Sequence, residues 1–315
     1  MAHTSRRRRL AALPIALGLV LAAGCDAAPG QDRSSRARVL VPVDFDADSA
    51  HALIAHQVSF GPRFPGGPGH AAQLEWMLEH LRALADTVEV RPFVHGALSG
   101  DSVSMTNVFA RFRPAEVHRV LLVAHWDTRP MADQDPDSAR RGEPILGAND
   151  GGSGVAVLME LARVLSSHSP PLGVDLLFTD GEDFGVGEMY LGAKHFAANP
   201  PPGYRPLYGI LIDMVGDKSP SFPIEGQSQS LAPEVVDLVY RTAEEIGMAR
   251  YFPRVVGLSI EDDHIPLNQA GFRTIDIIDF NYPYWHTTGD VLENTSPEGL
   301  EAVGEVLTQL ILSGG

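Results

Sequence analysis

Val120-Leu121-Leu122-Val123-Ala124-His125-Trp126-Asp127 sets an apolar run hard against a histidine, an indole and an acid. A short run rich in Val and Leu reads as a strand buried on both faces, with polar residues gathered at its carboxyl end. The pattern recurs at Val174 to Phe178, at Tyr208 to Ile212 and at Thr274 to Ile278. Helical patterns lie around these runs, over Ala71 to Leu84, Gly154 to Leu165, Pro233 to Ile246 and Pro297 to Leu312. Alternating strands and helices predict a three-layer α/β sandwich, with a mostly parallel central sheet flanked by helices. Two further strand-like runs between Asp86 and Arg113, with Gly96 and Gly100 between them, predict an antiparallel edge hairpin.

In such sheets, functional groups collect just beyond the carboxyl ends of the strands. The acids and histidines follow that rule. His125 and Asp127 close the first run, Glu182 and Asp183 follow the second, Asp213 follows the third, and Trp285 and His286 come soon after the fourth. Asp150 sits in Gly147-Ala148-Asn149-Asp150-Gly151-Gly152, at the mouth of an apolar helix. Any one of these residues alone reads as a cap, a turn residue or a surface side chain. Several metal-capable side chains at the ends of separate strands point together to a zinc site. Neighbours in a regular strand face opposite ways, so Glu182 and Asp183 are expected on a turn, which Gly181 and Gly185 permit. One carboxylate is then free to bind metal while the other carries protons.

The amino terminus has a different character. Arg6 to Arg9, an apolar stretch from Leu10 to Ala23 and Gly24-Cys25 are laid out as a secretory leader over residues 1–25. The stretch is shorter than a bilayer span and Pro14 interrupts it. Cys25, the only cysteine, follows Ala22-Ala23-Gly24 as in a bacterial lipobox, so lipidation at Cys25 is expected. Residues 26–38 are small and polar, as in a tether, and residues 39–315 show neither a second linker nor a repeat. They predict one catalytic domain, in an exported protein anchored by lipid to a membrane of the cell envelope or periplasm. Losing residues 1–25 removes four arginines and no acid, which takes the net charge from −16 to −20. Such a charge makes nucleic acid an unsuitable partner.

Six segments carry a resemblance to a known family. They are His125-Trp126-Asp127-Thr128-Arg129-Pro130, Gly147-Ala148-Asn149-Asp150, Asp180-Gly181-Glu182-Asp183-Phe184-Gly185, Ile212-Asp213-Met214-Val215-Gly216, Glu261-Asp262-Asp263-His264-Ile265-Pro266 and Tyr284-Trp285-His286-Thr287. In this order, and with Val58-Ser59-Phe60-Gly61-Pro62-Arg63 ahead of them, they resemble the zinc aminopeptidase and glutaminyl cyclase superfamily. The resemblance implies Asp150, Asp183 and His286 as zinc ligands and Glu182 as general acid and base, with Asp213 and Asp262 holding Glu182 in a hydrogen-bond network. Trp285 would wall the substrate pocket. One zinc is expected. A second, on His125 and Asp213 with Asp150 bridging, stays open, as in two-zinc aminopeptidases of the superfamily.

Trp285 directly before the histidine, the run from Glu261 to Pro266, and Asp rather than Glu at 183 resemble the bacterial cyclase branch. That branch implies conversion of an N-terminal glutamine of a peptide or protein to pyroglutamate, with release of ammonia. The alternatives are an aminopeptidase and an inactive peptide-binding lipoprotein. Neither a Gly-x-Ser-x-Gly elbow nor a phosphate-binding glycine loop occurs.

Overall fold

The computed structural model describes residues 1–2, 40 and 44–314. The leader beyond its first two residues, Cys25 included, the tether expected over 26–38, and residues 39, 41–43 and 315 of the expected domain lie outside the described residues.

Six strands form one sheet: β1 (Thr87–Gly96), β2 (Ser102–Phe112), β3 (Arg119–His125), β4 (Gly173–Thr179), β5 (Gly209–Asp213) and β6 (Thr274–Ile278). Their order across the sheet is β1-β2-β4-β3-β5-β6. The last four in that order run parallel, while β1 and β2 form an antiparallel hairpin that joins β4 antiparallel. The edge hairpin is therefore present, and each buried run expected from the sequence is a strand to within about a residue. Every residue of β3 to β6 is buried, as a parallel sheet covered on both faces requires.

Strand parity divides the core. Val120, Leu122 and Ala124 of β3 face the larger layer together with Leu176, Ile210, Ile212, Ile275 and Ile277. That layer contains α1 (Ala47–Ser59), α2 (Pro68–Leu84), α3 (Gly152–Ser167), α6 (Pro233–Glu245) and α8 (Pro297–Leu312). Leu121, Val123, Leu177 and Leu211 face the thinner layer, where Phe196 of α4 (Leu191–Ala198) and Leu267 of α7 (His264–Gln269) cover them. The short α5 (Gly226–Leu231) abuts β6. The helices that periodicity did not announce are α1, α4, α5 and α7. Three of these are eight residues or fewer, too short for a recurring apolar stripe.

Candidate metal centre and substrate pocket

His125 is the last residue of β3 and Asp213 the last of β5, so both lie at the carboxyl edge of the sheet on adjacent parallel strands. Asp150 comes from the loop that opens α3. At Gly151 the backbone is left-handed (φ +80°), and a β-carbon there would lie 2.6 Å from the Asp127 carbonyl oxygen and 3.0 Å from the His125 ring. Only glycine lets the loop turn Asp150 toward the histidine at that distance. Gly181, also left-handed (φ +71°), makes the turn after β4 that carries Glu182 and Asp183.

Two sets of three buried side chains result, sharing Asp150. In one, Asp150, Asp183 and His286 offer ligand atoms that all lie within 4.8 Å of one another; in the other, His125, Asp150 and Asp213 do. His286 Nε2 is 3.6 Å from Asp150 Oδ2 and 3.3 Å from Asp183 Oδ2. Zinc binds nitrogen and oxygen at about 2.1 Å, so the edge of its coordination tetrahedron is about 3.4 Å, which these separations match. Asp150 Oδ2 and Asp183 Oδ2 are buried and make no hydrogen bond to any group of the chain. Two unpaired buried carboxylate oxygens beside an imidazole nitrogen suit a divalent cation. His125 Nε2 lies 3.2 Å from both Asp150 Oδ1 and Asp213 Oδ1, so the second set has similar dimensions.

The charges agree with that chemistry. Burial, then the nearby charge of Asp183, raises the Asp150 pKa above the usual carboxylate range. Burial acts on Asp183 in the same direction, but His286 and Arg129 outweigh it and lower its pKa. For His125, burial opposes the charged form, yet Asp127, Asp150 and Asp213 together hold the ring well above its ordinary pKa.

Glu182 stands outside both sets while lining the adjoining pocket. Burial and then the charge of Asp262 push its carboxyl well above the ordinary range. Asp262 accepts a hydrogen bond from the backbone N–H of Asp263 and acts on Glu182 through its charge. Among the described residues the Glu182 carboxyl makes no hydrogen bond to Asp213 or Asp262, so the expected hydrogen-bond network is not seen; Asp262 acts on Glu182, and Asp213 on Asp262, through charge. The pocket encloses about 460 Å³ and is lined by both acidic and apolar side chains. Glu182, Asp213 and Asp262 supply acid; Ile260, Phe280 and Trp285 supply apolar surface, with the indole stacked on the His286 ring at 3.9 Å. Tyr190, Met214 and His286, all non-glycine residues with positive φ, also line it. Backbone held in a sparsely populated region tends to gather at functional sites.

A supporting shell was not read from the sequence. Asp290 accepts hydrogen bonds from the N–H groups of Asn149 (2.9 Å) and Asp150 (3.1 Å) and from the Tyr282 hydroxyl (2.8 Å). The buried Arg63 guanidinium donates to the carbonyls of Leu146 and Gly147 on the same loop. Asp127, which the sequence placed on the rim, turns its carboxylate to the N–H groups of Glu182 (3.1 Å) and Asp183 (3.2 Å). Arg129 bridges Asp133 and Asp183, and Asp133 Oδ1 lies 3.3 Å from His286 Nδ1. Asp290 stands four residues past His286 and Arg63 closes the Val58 to Arg63 segment, but neither position discloses which backbone it holds.

A family model for peptidase family M28 matches residues 107–311. Glutaminyl-peptide cyclotransferase of Bos taurus is 26% identical over 287 residues, spanning 79% of this chain and 78% of that protein. Among solved structures, a leucine aminopeptidase precursor from Bacteroides thetaiotaomicron is 36% identical with a TM-score of 0.85, covering 87% of this chain and 99% of its own. A glutaminyl cyclase from Tannerella forsythia is 39% identical with a TM-score of 0.82, covering 85% and 98%.

Proposed function

The chain belongs to peptidase family M28, and from that premise we propose that it is a zinc-dependent glutaminyl-peptide cyclotransferase. The observation that carries this reading is the position of Glu182. It lines the pocket together with Asp150 and His286 without belonging to the set that they form with Asp183, and the Trp285 indole, stacked on His286, lines the same pocket. Similarity to cyclotransferases and glutaminyl cyclases supports it.

Asp150, Asp183 and His286 would hold one zinc ion, which when bound supplies Lewis-acid polarisation of the substrate's side-chain amide. The chain's own residues do the rest. Trp285 and its apolar neighbours fold the glutamine side chain back toward its own amine and shield the site from water, so that ring closure is intramolecular. Glu182 takes a proton from the α-amine as the new C–N bond forms, then returns it to the amide nitrogen as the old C–N bond breaks. The products are a pyroglutamyl peptide and ammonia. Burial, and after it the charge of Asp262, keeps the Glu182 carboxyl a weak enough acid to hold that proton between the two transfers.

A second reading, a two-zinc aminopeptidase, is favoured by the His125, Asp150 and Asp213 set and by similarity to the leucine aminopeptidase precursor. One paired assay separates them. A cyclase releases ammonia from a glutaminyl peptide and leaves leucine-4-nitroanilide intact; hydrolysis of the anilide without cyclisation selects the peptidase. We further infer export and lipid anchoring at Cys25, on the leader pattern of residues 1–25.

A further inference from the structure

A second cavity, of about 190 Å³, adjoins the substrate pocket. The two share Leu258, Ile260, Ile278 and Phe280, and beyond these the smaller one is lined by residues that include Ile224 and Asn281. We propose that this cavity receives the side chain of the second residue of the substrate peptide and selects apolar and aromatic side chains there. The inference rests on the cyclase reading, since it takes the first residue to be the glutamine that cyclises in the larger pocket.

Three features of the cavity favour that occupant. An apolar cavity of about 150 Å³ already admits a benzene ring, so the space suits a phenylalanine or leucine side chain. Its one carboxylate is occupied: Glu225 accepts from the N–H groups of Gln227, Ser228 and Ile260 and from the Ser228 hydroxyl. Apart from Asn281 and the occupied Glu225, a bound side chain meets apolar surface, and an acidic one would bury its charge with no cation beside it. Leu258, which lines the cavity, is about 60% exposed, and so are Val255 and Val256 just before it in the chain. Exposed apolar surface continuous with an apolar cavity marks a contact surface. Because the two cavities share apolar lining residues, a chain leaving the larger pocket over those residues reaches the smaller one.

The test measures kcat/KM of the full chain, zinc-loaded, for glutaminyl-phenylalanyl-alanine, glutaminyl-glycyl-alanine and glutaminyl-aspartyl-alanine. The expected order is Phe, then Gly, then Asp, with Phe favoured over Gly about ten-fold, the lower range for apolar side-chain discrimination. Leu258→Glu, which puts a charge at the mouth, and Asn281→Phe, which fills the cavity from its outer side, should each bring the Phe-to-Gly ratio close to one. Both peptides are measured on one preparation, so a partly unfolded variant lowers both rates and leaves the ratio intact. A wild-type ratio near one overturns the proposal, as does a ratio that neither variant changes. If no glutaminyl peptide is cyclised at all, the cyclase reading fails first and this inference with it.

Discussion

Asp290 offers no ligand atom to either three-residue set, yet its carboxylate holds the backbone of Asn149 and Asp150 in place through two N–H groups. Asparagine at that position would turn an amide donor toward one of those donors. Outer-shell partners typically contribute about 10- to 100-fold in metal affinity. Asp290→Asn should therefore weaken zinc binding by that factor in a chelator competition, while the zinc-free protein keeps its circular dichroism. Unchanged zinc affinity would reduce Asp290 to ordinary packing. Glu182 gives the complementary case, because it lines the pocket without belonging to the ligand set. Glu182→Gln should keep its zinc and lose about 10²- to 10⁴-fold in kcat, the range for a positioned acid or base. A near-normal rate would remove Glu182 from proton transfer. The sequence showed Glu182 as an acid on a glycine turn. It could not show Asp290, because a carboxylate that caps a backbone 140 residues away leaves no local pattern.

At the scale of elements, each chemical group sits where a strand or helix stops. β3 and β5 end in His125 and Asp213, the turn after β4 bears Glu182 and Asp183, and the loop before α3 bears Asp150. These positions were legible because apolar runs bounded by polar residues mark strand ends directly. The short helices carried no such signal, and α5 depends on a single acid. Burial raises the pKa of Glu225, but His264, Ser228 and the N–H groups of Gln227 and Ile260 outweigh it and hold it at about 2, against an ordinary 4.5. A lowered folded-state value stabilises the fold above pH 4.5, and that stabilisation drains away as the pH falls toward 2. Zinc-free Glu225→Gln should accordingly be less stable than wild type near neutrality, and the gap should close through that window in urea titrations. A gap independent of pH would refute the ionic role of Glu225.

On the scale of the whole molecule, segments from all parts of the described chain after residue 124 meet at one edge of the sheet. A ligand bound only by the folded state stabilises it. Exhaustive chelation should therefore lower Tm and abolish turnover, and zinc alone should restore both at one ion per chain. Full activity with two ions per chain would favour the second reading, and full activity after chelation would exclude a catalytic metal. Outside the described residues, Cys25→Ala should move the protein from the membrane to the soluble fraction and abolish incorporation of labelled fatty acid. Retention on the membrane would remove Cys25 as the anchor.

By itself, the sequence determined the α/β class, the four buried strands, the edge hairpin and the candidate chemical residues, because strand periodicity and polar strand ends are local properties. Tertiary structure alone decided that Asp150 belongs to two sets at once, that Asp262 acts on Glu182 by charge, and that Asp127, Arg63 and Asp290 hold backbone. Those relations depend on distances between segments remote in the chain. Such distances are set only when the helices and sheet pack.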